Sequence, residues 1–258
     1  MGLIAVASMA GAQGVTTTAL GLVACWPDSE VVPVLLECDP SGGDLAARWN
    51  LEARPGLAET GQAAAATDQP GPAVLTAGAQ RIAVAGRDVA VVCASLGGAE
   101  VAPALAVLTA PGSKALHDAD GWIVADLGRL DEHSPTWPLV AAADCTVLVA
   151  RSHLEGLAHL RARFETLVCR ARGRFAVALT PGAYRPDQAS DLLRAAGLAA
   201  PVAGPVGPSR PIGPDPIGWR GRRALGAWHG LAAAVRNRAI AQPPLSIEAA
   251  PTSTEDRP

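Results

Sequence analysis

Six short apolar runs mark the chain, at residues 3–7, 31–36, 89–94, 122–125, 146–150 and 175–179. They are nearly continuous rather than alternating, the pattern of strands buried on both faces, as in a parallel sheet. Between most of them lie stretches with helical spacing, at 16–26, 101–108, 153–172 and 186–196. Strand alternating with helix predicts a doubly wound α/β fold, a mostly parallel sheet flanked by helices. Residues 81–85 and 89–94, separated by Gly86-Arg87-Asp88, are expected to form a local hairpin. The segment beginning Gly56-Leu-Ala-Glu-Thr-Gly-Gln reads as the start of a surface helix.

The later part of the chain changes character. Residues 201–218 carry six prolines and four glycines and are expected to be irregular. Helical spacing returns at 220–240, with Leu225, Trp228, Leu231 and Val235 at three- and four-residue steps. Beyond Gln242, prolines, hydroxyl residues and charges favour disorder. Residues 1–240 are therefore read as one domain and 241–258 as a disordered tail.

Composition narrows the classes. With 258 residues and 49% hydrophobic content, the chain can bury a full core. A net charge of −3 gives no whole-protein attraction to nucleic acid or anionic lipid, so such binding would have to be local. Cys25, Cys38, Cys93, Cys145 and Cys169 show no paired spacing, and four lie in apolar runs, as expected of reduced, metal-free cysteines in the cytoplasm. The five histidines show no metal-ligand spacing. No basic residue precedes the apolar start, which is read as a first strand and not a secretory leader, and no apolar run reaches the eighteen residues of a membrane span.

The chemistry concentrates near the start. Ala7-Ser-Met-Ala-Gly-Ala-Gln-Gly-Val-Thr-Thr-Thr18 follows the first apolar run and opens a helix, the setting a phosphate loop needs. Gly11 and Gly14 let the backbone turn its N–H groups inward, and the helix adds free N–H groups and a positive dipole end. Within it, Ala10-Gly-Ala-Gln-Gly-Val-Thr-Thr17 resembles, without a gap, the K-G-G-x-G-K-T-T loop of the ParA/MinD-type P-loop ATPases. The resemblance implies nucleotide contacts from Gly11, Ala12, Gln13, Gly14, Val15, Thr16 and Thr17, with the Thr16 hydroxyl as a magnesium ligand.

Both lysines of that family's loop are missing. Ala10 stands at the lysine that in the family reaches the partner subunit's nucleotide, and Val15 at the general phosphate-binding lysine. Losing a cation at the β- and γ-phosphates removes electrostatic stabilisation on which phosphoryl transfer depends. Hydrolysis is expected to be very slow or absent. The sequence has one lysine, Lys114, and no arginine before Arg48, so no substitute cation is encoded beside the loop.

Two later segments follow in the family's order. Pro33-Val-Leu-Leu-Glu-Cys-Asp-Pro-Ser-Gly-Gly43 resembles its D-x-D-P-x-G-G segment, with Glu37 at the first acid and Asp39 at the catalytic second, which helps to position the attacking water. Gly121-Trp-Ile-Val-Ala-Asp-Leu-Gly128 resembles its Walker B strand, whose acid, here Asp126, contacts magnesium through water. Thr180 and Pro181 depart from the family at the position of its base-recognising asparagine.

The resemblance implies a ParA/MinD-like protein with a degenerate site for ATP and Mg2+, a pseudo-ATPase or very weak ATPase acting as a positioning, partition or partner-recruiting scaffold. The alternative is a working Mg-ATP-dependent ATPase that switches between monomer and dimer in chromosome, septum or secretion-machinery positioning. A homodimer or a protein partner is expected, with nucleic-acid binding weak or absent. Residues 220–240 form either a basic membrane-touching helix or, by the plainer reading, a closing helix packed on the sheet. Arg161, Arg163, Arg170, Arg172 and Arg174 read as a solvated helix face, with a DNA-facing patch as the alternative.

Overall fold

A computed structural model of the chain describes residues 2–11, 13–28, 30–66, 71–116, 121–171, 174–195, 197, 202–203 and 219–241. The strands are β1 (Gly2–Ser8), β2 (Val34–Glu37), β3 (Ala79–Val84), β4 (Arg87–Val92), β5 (Trp122–Arg129), β6 (Cys145–Arg151), β7 (Arg174–Thr180) and β8 (Val202–Ala203). The helices are α1 (Val15–Ala24), α2 (Leu45–Trp49), α3 (Leu57–Ala66), α4 (Gly71–Gly78), α5 (Val101–Leu108), α6 (Trp137–Ala142), α7 (Leu154–Arg170), α8 (Pro186–Ala195) and α9 (Trp219–Ile240). The strands make one sheet in the order β3-β4-β2-β5-β1-β6-β7-β8, parallel except for the β3–β4 hairpin at its edge.

Alternation along β1 explains why its apolar run is continuous. Leu3, Ala5 and Ala7 enter one apolar layer, shared with α3, α5, α7 and α8, while Ile4 and Val6 enter a second, shared with α1 and α9. Both faces are covered, so residues 3–7 are apolar throughout. The chain moves from β1 to β2 in one direction and later to β6 in the other, which leaves a crevice at the carboxyl end of β1. Open α/β sheets bind ligands in such crevices.

The main departures from expectation have local causes. β2 starts at Val34 because its first partner on β5 is Ile123, and Val31 ahead of it is exposed. The hairpin turns at Ala85 and Gly86, both with positive φ, one step earlier than the polar Arg87 and Asp88 suggest. Those two residues belong to β4, where Asp88 forms an ion pair with Arg81 across the edge hairpin. The short strand β8 lies inside the stretch read as irregular, and pairs with β7. The rest of 204–218, and the tail from 242 onward, lie outside the described residues.

α9 closes the domain. Trp228, Leu231, Ala232 and Val235 are buried against the α1 side of the sheet, and the Trp228 ring lies so close to Gly21 of α1 that a Cβ there would overlap it. The apolar stripe that a membrane would need is thus already used in the core. No helix among the described residues is long and apolar enough to cross a membrane.

Four cysteines, Cys25, Cys38, Cys93 and Cys145, are buried as their apolar surroundings predict, while Cys169 is exposed. Burial raises the thiol pKa of Cys25 to about 11 and of Cys93 and Cys145 to about 12, which keeps them protonated and unreactive.

Candidate functional site

At the end of β1 the chain enters the glycine loop, which its own side chains hold in shape. The Ser8 hydroxyl donates to the Ala10 carbonyl at 2.8 Å. Gln13 Nε2 donates to the Gly11 carbonyl at 2.9 Å, and Gln13 Oε1 accepts the Arg151 backbone N–H of β6 at 2.7 Å. Gly14 then adopts φ 89°, a left-handed conformation that favours glycine, immediately before α1. No side chain caps this helix and its first turn has no acidic residue, so its free N–H groups and positive end are left for an anion. Ala12, read with the loop from sequence, lies outside the described residues.

A cavity of about 480 Å³ opens over this loop. Gly11, Gln13, Gly14, Val15, Thr16 and Thr17 line one side, so the structure brings the other sequence-nominated loop residues together. Asp39 and Ser41, which follow β2, line another side, and the Ser41 N–H donates to Asp39 Oδ1 at 2.8 Å.

Asp126 lies beneath the cavity in β5, fully buried, with Val6 and Glu37 as its strand neighbours. Its Oδ1 accepts the Gly128 N–H at 3.1 Å, while Oδ2 has no hydrogen-bond partner among the described residues. Burial raises its pKa to about 6. The Thr16 hydroxyl, which lies near Asp126 without forming a hydrogen bond of acceptable geometry, the Gly128 amide and the Arg48 guanidinium oppose that rise, and the Asp39 carboxylate adds to it. An orphaned buried carboxylate oxygen is costly, and a hydrated magnesium ion beside Thr16 would satisfy it. The donor set therefore fits a magnesium-bound phosphate group, with Thr16 and Asp126 as the residues that would hold the ion.

A feature that the sequence does not announce shapes the same place. Val6 pairs with Asp126 but Ser8 pairs with Arg129, so β5 spends one more residue than β1 over this step. The result is a β-bulge, with Gly128 at φ 62°. The Asp39 carboxylate occupies the space where a Cβ on residue 128 would stand, so glycine is required twice over. Arg129 is carried to the cavity wall, α2 delivers Arg48 to it, and Asp44 comes from the position just ahead of α2. The loop itself carries no cation, as its sequence shows, but two arginines from other elements line the cavity. Lys114, by contrast, is exposed just after α5 and does not line it.

Glu37 does different work from Asp39. Its carboxylate accepts the N–H groups of Asp44 at 2.7 Å, Leu45 at 3.1 Å and Ala94 at 3.1 Å, splicing β2 to α2 and to the end of β4. Burial, reinforced by the Asp126 carboxylate, raises its pKa to about 7 against the pull of those three amides. Because the folded pKa lies above the unfolded one, the native state binds the extra proton, and stability falls as pH rises toward 7. In ligand-free protein the thermal midpoint should be higher at pH 6 than at pH 8, and Glu37→Gln should flatten that difference in a melting series.

Three of the arginines around α7 are tied to backbone carbonyls. Arg163 donates to the Leu130 carbonyl at 3.1 Å, Arg170 donates to the Glu132 carbonyl and stacks over Trp137, and Arg174 donates to the Arg238 carbonyl. Arg161 is exposed, and Arg172 lies outside the described residues. Thr180 ends β7 beside Arg151 of β6, on the same edge of the sheet as the loop.

No family model and no curated protein sequence matches the chain. Solved structures do. The cell division ATPase MinD of Pyrococcus furiosus is 14% identical with a TM-score of 0.64, over 92% of this chain and 98% of that one. A cobyrinic acid a,c-diamide synthase from Mycobacterium smegmatis, with an ATP analogue and magnesium bound, is 17% identical with a TM-score of 0.61, over 92% and 94%. A ParA family ATPase from Chlorobium tepidum is 13% identical with a TM-score of 0.60, over 92% and 93%. Identity at this level speaks for architecture alone, and on that architecture the chain has the ParA/MinD-like P-loop fold.

Proposed function

We propose that this chain binds Mg-ATP through the loop amides, Thr16 and Asp126, turns it over very slowly or not at all, and acts in the cytoplasm as a positioning or partner-recruiting scaffold. The observation that carries this reading is the combination of an unpartnered Asp126 Oδ2 beneath an uncapped helix start with Val15 at the lysine position. The first two features suit a bound magnesium phosphate, and the third removes a principal source of transition-state stabilisation. In the bound state the magnesium ion would neutralise phosphate charge. Thr16 and Asp126 would orient its water shell, and the loop amides would fix the phosphates. A homodimer or another protein is the expected partner.

The test is titration with a fluorescent ATP analogue, with and without magnesium, where magnesium-dependent binding is the expected result. A working ATPase is the second reading, favoured by Asp39 on the cavity wall. Its signature is phosphate release that disappears in Asp39→Ala.

A further inference from the structure

We propose that Arg48 and Arg129 are the phosphate-gripping cations of this site, supplying from two other elements charge for binding the nucleotide, but not the transition-state contact of the lysine absent at Val15. The inference rests on the reading that the cavity takes nucleotide phosphates, and it names the groups that hold them.

Each arginine reaches the cavity by a specific device. Arg129 does so through the bulge: the extra residue in β5 sets it opposite Ser8, at the threshold of the glycine loop. In a regular strand, one residue fewer would turn the side chain at that point to the opposite face of the sheet. Arg48 comes from the last turn of α2, whose start is fastened to Glu37 by the Asp44 and Leu45 amides.

The bonding of Arg48 is incomplete in a way that points to an anion. Nη2 donates to Asp44 Oδ2 at 3.0 Å, whereas Nη1 is buried and has no partner among the described residues. Burying an N–H donor without an acceptor is costly. A phosphate oxygen in the same cavity would accept from it, and the planar guanidinium is suited to gripping phosphate through two nitrogens. Asp44 holds the other nitrogen and competes with an incoming phosphate for the same cation.

Binding of a fluorescent ATP analogue in the presence of magnesium tests the assignment. Arg48→Gln and Arg129→Gln should each weaken it, by roughly tenfold, as loss of a charge-assisted hydrogen bond does. Arg48→Lys should retain part of the affinity, and Val15→Lys should restore binding in the double glutamine variant. Asp44→Asn leaves both arginines in place and releases Arg48 from its ion pair, so it should tighten binding several-fold; this arm stands even where an arginine variant folds poorly. If the unmodified chain binds no analogue, the nucleotide reading and this inference fall together. If it binds, and the folded double variant binds equally well, the nucleotide reading survives and this inference is overturned.

Discussion

Val15→Lys is expected to raise the affinity for Mg-ATP by roughly tenfold to a hundredfold, the yield of one charge-assisted hydrogen bond to phosphate. Val15, the first residue of α1, is buried in the apolar layer on that side of the sheet and also lines the cavity. A lysine stem can therefore keep the apolar contacts while its ammonium group reaches the phosphates. Ala10 offers no such route. It lines a small recess with Gly156 and Leu160 and is not among the residues that line the main cavity. The gain from Val15→Lys should be larger when Arg48 and Arg129 are replaced, because cations crowded around one phosphate group repel each other as well as attracting it. Competition binding against the unmodified chain measures both quantities. Unchanged affinity would mean that the loop does not hold phosphate at all.

Trp228→Ala should cost about 3–5 kcal/mol of folding stability, the usual loss for removing a buried aromatic side chain. That is a large share of what a domain of this kind has to spare. The ring is buried between α9 and α1, pressed against Gly21, and with Leu231 and Val235 it closes one apolar layer. Urea denaturation should show a markedly lower midpoint. The same substitution distinguishes the two sequence readings of residues 220–240. A helix waiting for a membrane would lose vesicle binding and keep its midpoint, whereas the packed helix loses its midpoint.

The fold was legible because its strands are covered on both faces. Continuous apolar runs such as residues 3–7 and 146–150 fall within β1 and β6, with ends displaced by a residue or two. The loop and its two acids were legible because each sits at a strand end, where short motifs survive as local sequence. α4 was not read from the sequence, and α6 was missed because six residues are too short to establish a period.

The site's cations were missed for a different reason. Arg48 reaches the cavity on the five-residue α2, which sequence spacing does not reveal, and Arg129 only because β5 bulges at Gly128. Pairing register is a tertiary property, so nothing in Asp126-Leu-Gly-Arg129 announces that the arginine faces the loop. Glu37 was read as the first acid of the motif, and its bonds to the amides of Asp44, Leu45 and Ala94 make it a splice between elements. Only the assembled fold brings those three amides to one carboxylate.

The most direct measurement is a fluorescence titration of the purified chain with an ATP analogue, run with magnesium, with chelator, and on Asp126→Asn. Binding in the micromolar range that weakens by at least about tenfold on chelation and again in Asp126→Asn is expected, because the unpartnered Asp126 oxygen is there to hold the ion's water shell. No binding at millimolar analogue, or binding indifferent to both magnesium and Asp126, would contradict it.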